Sequence, residues 1–65
     1  MEEGNVICFR YKGGRHVRGV VESISAKYIL LILQTDYIGK NEEWFIGEQK
    51  VFNKAEMKRI LILTK

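Results

Sequence analysis

Cys8 and His16 are the only pair in this chain with the residue types of a nucleophile and its base. Thiolate chemistry needs a lowered thiol pKa and an imidazole held in place by a third group. Cys8 sits inside the apolar run Val6-Ile7-Cys8-Phe9, with parity opposite Ile7 and Phe9, and His16 lies in a basic cluster with no acid beside it. Cys8 therefore reads as a small, half-buried hydrophobe. Glu42 and Glu43 are adjacent, so they need not face one another, and on a loop they read as solvated. Gly13-Gly14 lacks the surrounding pattern of a phosphate-binding loop, and one Cys with one His cannot complete a four-ligand zinc site. The expectation is a chain with no catalytic residue, no metal and no cofactor.

The cations point elsewhere. Arg10, Lys12, Arg15, His16 and Arg18 follow one another with no acid among them, and Lys50, Lys54, Lys58, Arg59 and Lys65 stand against Glu56 alone. Between these stretches Asp36, Glu42, Glu43 and Glu48 outweigh Lys40. Both ends are basic and the middle is acidic, although the net charge is only +3. A fold that joins the ends would present a cationic face to nucleic acid. The candidate contacts are Arg10, Lys12, Arg15, His16, Arg18, Lys54 and Lys58. In Phe9-Arg10-Tyr11-Lys12 aromatics interleave with cations, and exposed Tyr11 or Trp44 would stack on bases while the cations hold phosphates, as single-stranded RNA binding requires. A solvated, charge-mixed surface is the alternative meaning of the same pattern.

The elements that must carry these residues are short. A chain of 65 residues allows one domain, residues 1–65, and an apolar fraction of 46% is enough to fold it. The lone Cys8 excludes an internal disulfide, and Met-Glu-Glu-Gly lacks the basic start and apolar segment of a signal peptide, so a cytoplasmic location is expected. The centre is Tyr28-Ile29-Leu30-Leu31-Ile32-Leu33, too short to span a membrane and rich enough to be a strand covered on both faces. Alternation places Ile29, Leu31 and Leu33 on one face and Tyr28, Leu30 and Ile32 on the other.

Other strands are expected over Asn5 to Tyr11, His16 to Ile24, Gln49 to Asn53 and Lys58 to Leu63, with one helical turn near Lys54 to Met57 where Asn53 and Glu56 resemble a capping box. Gly13-Gly14 supplies a hairpin turn, and Gly19 reads as a bend or bulge. The segment from Asp36 to Gly47 reads as an irregular connection whose aromatics, Phe45 among them, close one end of the core. The expected core is Ile7, Phe9, Val21, Ile24, Ile29, Leu31, Leu33, Val51 and Ile60. Five strands with a turn before the last describe an all-β fold, a small five-stranded SH3-like barrel, closed or half-closed.

Gly4-Asn5-Val6-Ile7-Cys8-Phe9, Gly19-Val20-Val21-Glu22-Ser23-Ile24, the strand Ile29 to Leu33, and Val51-Phe52-Asn53-Lys54 with Lys58 and Ile60 together resemble the YkvS-like family of small, uncharacterised Firmicute proteins. The resemblance covers nearly the whole chain and implies an SH3-like fold related to KOW modules of ribosome and transcription proteins. It implies no catalytic residue. Lys54 and Ala55 stand where that family tends to have His-Lys, Met57 where it has Tyr, and Ile32 where it has Asp.

Two binding readings follow. Nucleic acid, RNA ahead of DNA, would use the basic face. A protein partner, or a second copy in a weak homodimer, would use Tyr28, Leu30 and Ile32, since exposed apolar patches mark such contacts. The segment from Tyr37 to Ile46 folding over Leu30 and Ile32 would instead make them internal. No membrane contact is expected.

Overall fold

The computed structural model describes residues 1–64; Lys65, the last cation of the basic tail, lies outside the described residues. Seven strands form in order: β1 (Val6–Tyr11), β2 (Arg15–Ile24), β3 (Tyr28–Leu33), β4 (Tyr37–Ile38), β5 (Glu43–Trp44), β6 (Gln49–Asn53) and β7 (Lys58–Ile62). A 3-10 turn, Lys54–Glu56, joins β6 to β7. Asn53 caps it by accepting a hydrogen bond from the Ala55 N–H at 2.9 Å, which satisfies a donor that the turn leaves unpaired.

Five strands make one antiparallel sheet in the order β6-β3-β2-β1-β7, and β4 with β5 makes a separate hairpin. No ladder joins β6 to β7 among the described residues, so hydrogen bonding does not close the sheet. The connection expected to be irregular is therefore a short hairpin with Tyr37 opposite Trp44. Gly13 and Gly14 take φ of 74° and 79° in the β1–β2 turn, conformations that glycine adopts without steric penalty. Gly19 is not a bulge. It pairs in register with Ile7 and Leu33, and a Cβ there would come within 2.8 Å of the Ile32 carbonyl oxygen. Glycine lets β2 lie close against β3. The irregularity of β2 falls between Val21 and Ser23.

One face of the sheet carries the core, with the two-residue period of a strand. Ile7, Phe9 and Tyr11 of β1, Val17 and Val21 of β2, Ile29, Leu31 and Leu33 of β3, and Phe52 of β6 are buried there. Tyr37, Trp44 and Met57 complete it, and Ile60 packs against it half-buried. Of the expected core, Ile24 and Val51 are instead exposed, at 37% and 57%. Val51 pairs with Leu30 on the outer face, so its neighbour Phe52 is the buried residue of β6. Phe45 is also exposed, and Tyr37 and Trp44 perform the closing role assigned to it.

Tyr11 is the hub of the aromatic end, with Phe52, Tyr37 and Trp44 at centroid distances of 5.2, 5.6 and 5.8 Å in edge-to-face contact. Tyr37 and Trp44 stack at 4.4 Å. Contacts of this kind contribute about 0.5–1.5 kcal/mol each beyond area burial. They offset the Trp44 indole N–H, which is buried without a hydrogen-bond partner among the described residues.

Candidate functional site

Arg10 of β1 lies directly opposite His16 of β2 and directly opposite Lys58 of β7. Residues paired across antiparallel strands project on the same side. Lys58, Arg10 and His16 thus form a row across three strands on the outer face, and all three are exposed. On the next rung Cys8 pairs with Arg18 and with Leu61, which adds Arg18 beside the row.

A bulge brings a fifth member. Lys58 and Leu61 pair with Arg10 and Cys8, so two residues of β7, Arg59 and Ile60, stand against the single Phe9. Ile60 packs against the core. Arg59, the surplus residue, takes a φ of 52°, the only positive φ of a non-glycine among the described residues. It joins Cys8, Phe9, Arg10, His16 and Leu61 around a depression of about 170 Å³. A bulge re-aims a side chain in this way.

None of Arg10, His16, Arg18, Lys58 and Arg59 forms an ion pair with a carboxylate among the described residues. Like charges set directly opposite one another on a sheet destabilise it, so Arg10 and Lys58 carry a repulsion that an anion would relieve. Beside it, between the glycine turn and the 3-10 turn, Arg10 and Lys58 also border a cleft of about 440 Å³ together with Glu56.

Three other expected contacts do not join the row. Lys12 is bound to Glu42 at 2.9 Å, and its ammonium lies 5.4 Å from the Tyr11 ring centre. The hydrogen bond to Glu42 holds the Lys12 ammonium above its ordinary pKa. The same bond holds the Glu42 carboxyl below its own, against a smaller opposing effect of burial. Glu42 also meets Lys50 at 3.6 Å, so it is a bridge between elements rather than a solvated loop acid. Arg15 donates to the Ile38 carbonyl and lies 4.5 Å from the Tyr37 ring centre, which ties the β4–β5 hairpin to β2. Lys54 begins the 3-10 turn at the β6 end, its N–H donating to the Lys27 carbonyl at 2.9 Å.

The two aromatics expected to stack on bases are buried: Tyr11 and Trp44 are 4% exposed. Their place in the core follows from parity, because Tyr11 shares the face of Ile7 and Phe9. Burial is the first cause that raises the Tyr11 phenol above its ordinary pKa, and the charge of Glu42 is the second. Of the association candidates, Tyr28 is exposed while Leu30 and Ile32 are half-buried. The hairpin does not cover them, since Tyr37 and Trp44 pack on the opposite face with Tyr11 and Phe52. Their neighbours are Val51 beside Leu30 and Val20 beside Ile32.

Cys8 is half-buried, and no hydrogen bond orients the His16 ring among the described residues. Arg59 was not legible as a site residue, because Lys58-Arg59-Ile60-Leu61 contains no glycine or other sign of a bulge. Among the described residues no helix is long and apolar enough to cross a membrane. Comparison of the chain with family models, curated proteins and solved structures found no match.

Proposed function

We propose that the chain is a non-catalytic cytoplasmic module that binds nucleic acid, RNA ahead of DNA, by its phosphate backbone. The observation that carries this reading is the in-register row of Lys58, Arg10 and His16, widened by Arg18 and Arg59 and without carboxylate partners among the described residues. Each phosphate neutralised by such a row releases condensed counterions, which drives binding without reading sequence. With Tyr11 and Trp44 in the core, base stacking is not part of the mechanism at those positions. Weak sequence preference and strong salt dependence follow.

The strand order, with a 3-10 turn linking the two outer strands, supports an SH3-like barrel in half-open form. That reading agrees with the resemblance to YkvS-like proteins and, through them, to KOW modules. The test is a fluorescence titration of labelled single-stranded RNA and DNA of mixed sequence. Affinity in the range of about 1–100 μM at physiological salt, tightening as salt is lowered, is expected of backbone-dominated binding. No binding of either polymer at low salt, where the attraction is strongest, would remove the proposal.

A further inference from the structure

The outer edge of β6 is built to pair with itself. Among the described residues β6 bonds only to β3. In that ladder the Lys54 N–H donates to Lys27 and the Glu48 carbonyl accepts from Leu33, so even-numbered residues turn their backbone groups toward β3. Backbone direction alternates along an antiparallel strand. The N–H and C=O groups of Gln49 and Val51 and the N–H of Asn53 therefore face outward from the sheet, while the Asn53 C=O, at the N-cap, is taken up by the 3-10 turn. Exposed edges of this kind are normally blunted by proline, a bulge or charged side chains, inward-pointing ones included. β7 carries both a bulge and cations. β6 has no proline and no bulge; its one charge, Lys50, turns inward and is occupied by Glu42 at 3.6 Å, and Gln49, Val51 and Asn53 on the outer face are uncharged.

We propose that two copies of the chain associate through antiparallel pairing of β6 with β6 about a twofold axis at Val51. In that register Val51 meets the second copy's Val51, Gln49 meets Asn53, and Lys50 meets Phe52. One step further out, Glu48 faces Lys54 of the second copy, and the symmetry repeats this pair. No like charges oppose one another anywhere along the edge. Lys54, which has no carboxylate partner among the described residues, gains one. Val51, 57% exposed, gains an apolar neighbour that extends the line from Leu30. A twofold contact is self-complementary by construction, and it leaves the Lys58-Arg10-His16 row, which begins on β2 with β3 between it and β6, free in each copy.

Sedimentation equilibrium from micromolar to millimolar concentration tests this, with circular dichroism to verify folding. The parent chain should pass from monomer to dimer mass. Lys54→Glu should weaken the dimer about tenfold or more, a decade corresponding to about 1.4 kcal/mol, and the double exchange Glu48→Lys with Lys54→Glu should restore it. Val51→Pro removes an outward N–H that β3 does not use, a position where an edge strand tolerates proline, and should leave a folded monomer. If Val51→Pro unfolds the chain, the charge exchange decides alone. A parent that stays monomeric at millimolar concentration, or a dimer indifferent to Lys54→Glu, would overturn the proposal.

Discussion

Glu42 illustrates how a residue that reads as a solvated loop acid becomes structural. Its carboxylate gathers Lys12, Lys50 and the Tyr11 hydroxyl from elements far apart in sequence. Its pKa is depressed below the ordinary 4.5, first by the hydrogen bond from Lys12. A carboxyl with a lower pKa folded than unfolded adds stability above the unfolded value and loses it as pH falls through the folded value. Tyr11 works at the other limit: its pKa is raised above 10.0, so stability falls as pH rises past that value, where the unfolded phenol ionises first. Thermal melts should thus show a plateau between about pH 5 and 9 with losses on both sides. Glu42→Gln should melt lower than the parent at pH 7, and the gap should narrow toward pH 3. A gap independent of pH would mean that the ion pair contributes nothing to stability. Alternation within β1 and β3 already told which residues were buried, Tyr11 included. What misled was treating Tyr11 as a functional aromatic because cations flank it. Flanking residues lie on the opposite face of a strand.

At the scale of elements, the strands with strong apolar periodicity were legible almost to the residue, and so was the turn before β7, because the Asn53 cap is a local signal. β4 and β5 were not legible. Two residues each is too short for periodicity to register, and the hairpin is held from outside by Arg15 and the Tyr11 hub. The β7 bulge was equally silent, since Arg59 occupies a conformation that its residue type does not favour. That conformation costs an L-residue roughly 1–2 kcal/mol, of which glycine would return part after its own entropic penalty. Arg59→Gly should therefore raise the urea midpoint, by about 0.5–1 kcal/mol of stability, while weakening RNA binding and lowering its salt slope by about 0.7. Strain kept at a binding surface has this signature. A variant that loses both stability and binding would show that the arginine is needed for the fold.

At the scale of the whole molecule, the two basic stretches meet, which is the condition that their distribution along the chain left open. β1 and β7 pair along the sheet, which sets the first basic stretch beside the last. Only part of each stretch faces outward. Lys12 and Arg15 turn to the aromatic end, where Glu42 pairs Lys12 and the Ile38 carbonyl and Tyr37 ring hold Arg15, whereas Arg10, His16, Arg18, Lys58 and Arg59 have no carboxylate partner among the described residues. A list of cations along the chain does not contain that partition, because it depends on which acid, carbonyl or ring reaches which base across the sheet.

The partition gives the central claim its most direct test. Two double variants, Arg10→Ala with Lys58→Ala and Lys12→Ala with Arg15→Ala, remove the same charge from a chain of net charge +3. The measurement is the slope of log K against log salt for single-stranded RNA, taken well below the melting temperature of either variant. Loss of two phosphate contacts should flatten the slope by about 1.4 for the first pair, while the second pair should keep the parent slope. Equal flattening by both pairs would show that net charge alone attracts the polymer. Flattening by Lys12 and Arg15 but not by Arg10 and Lys58 would contradict the assignment of the site.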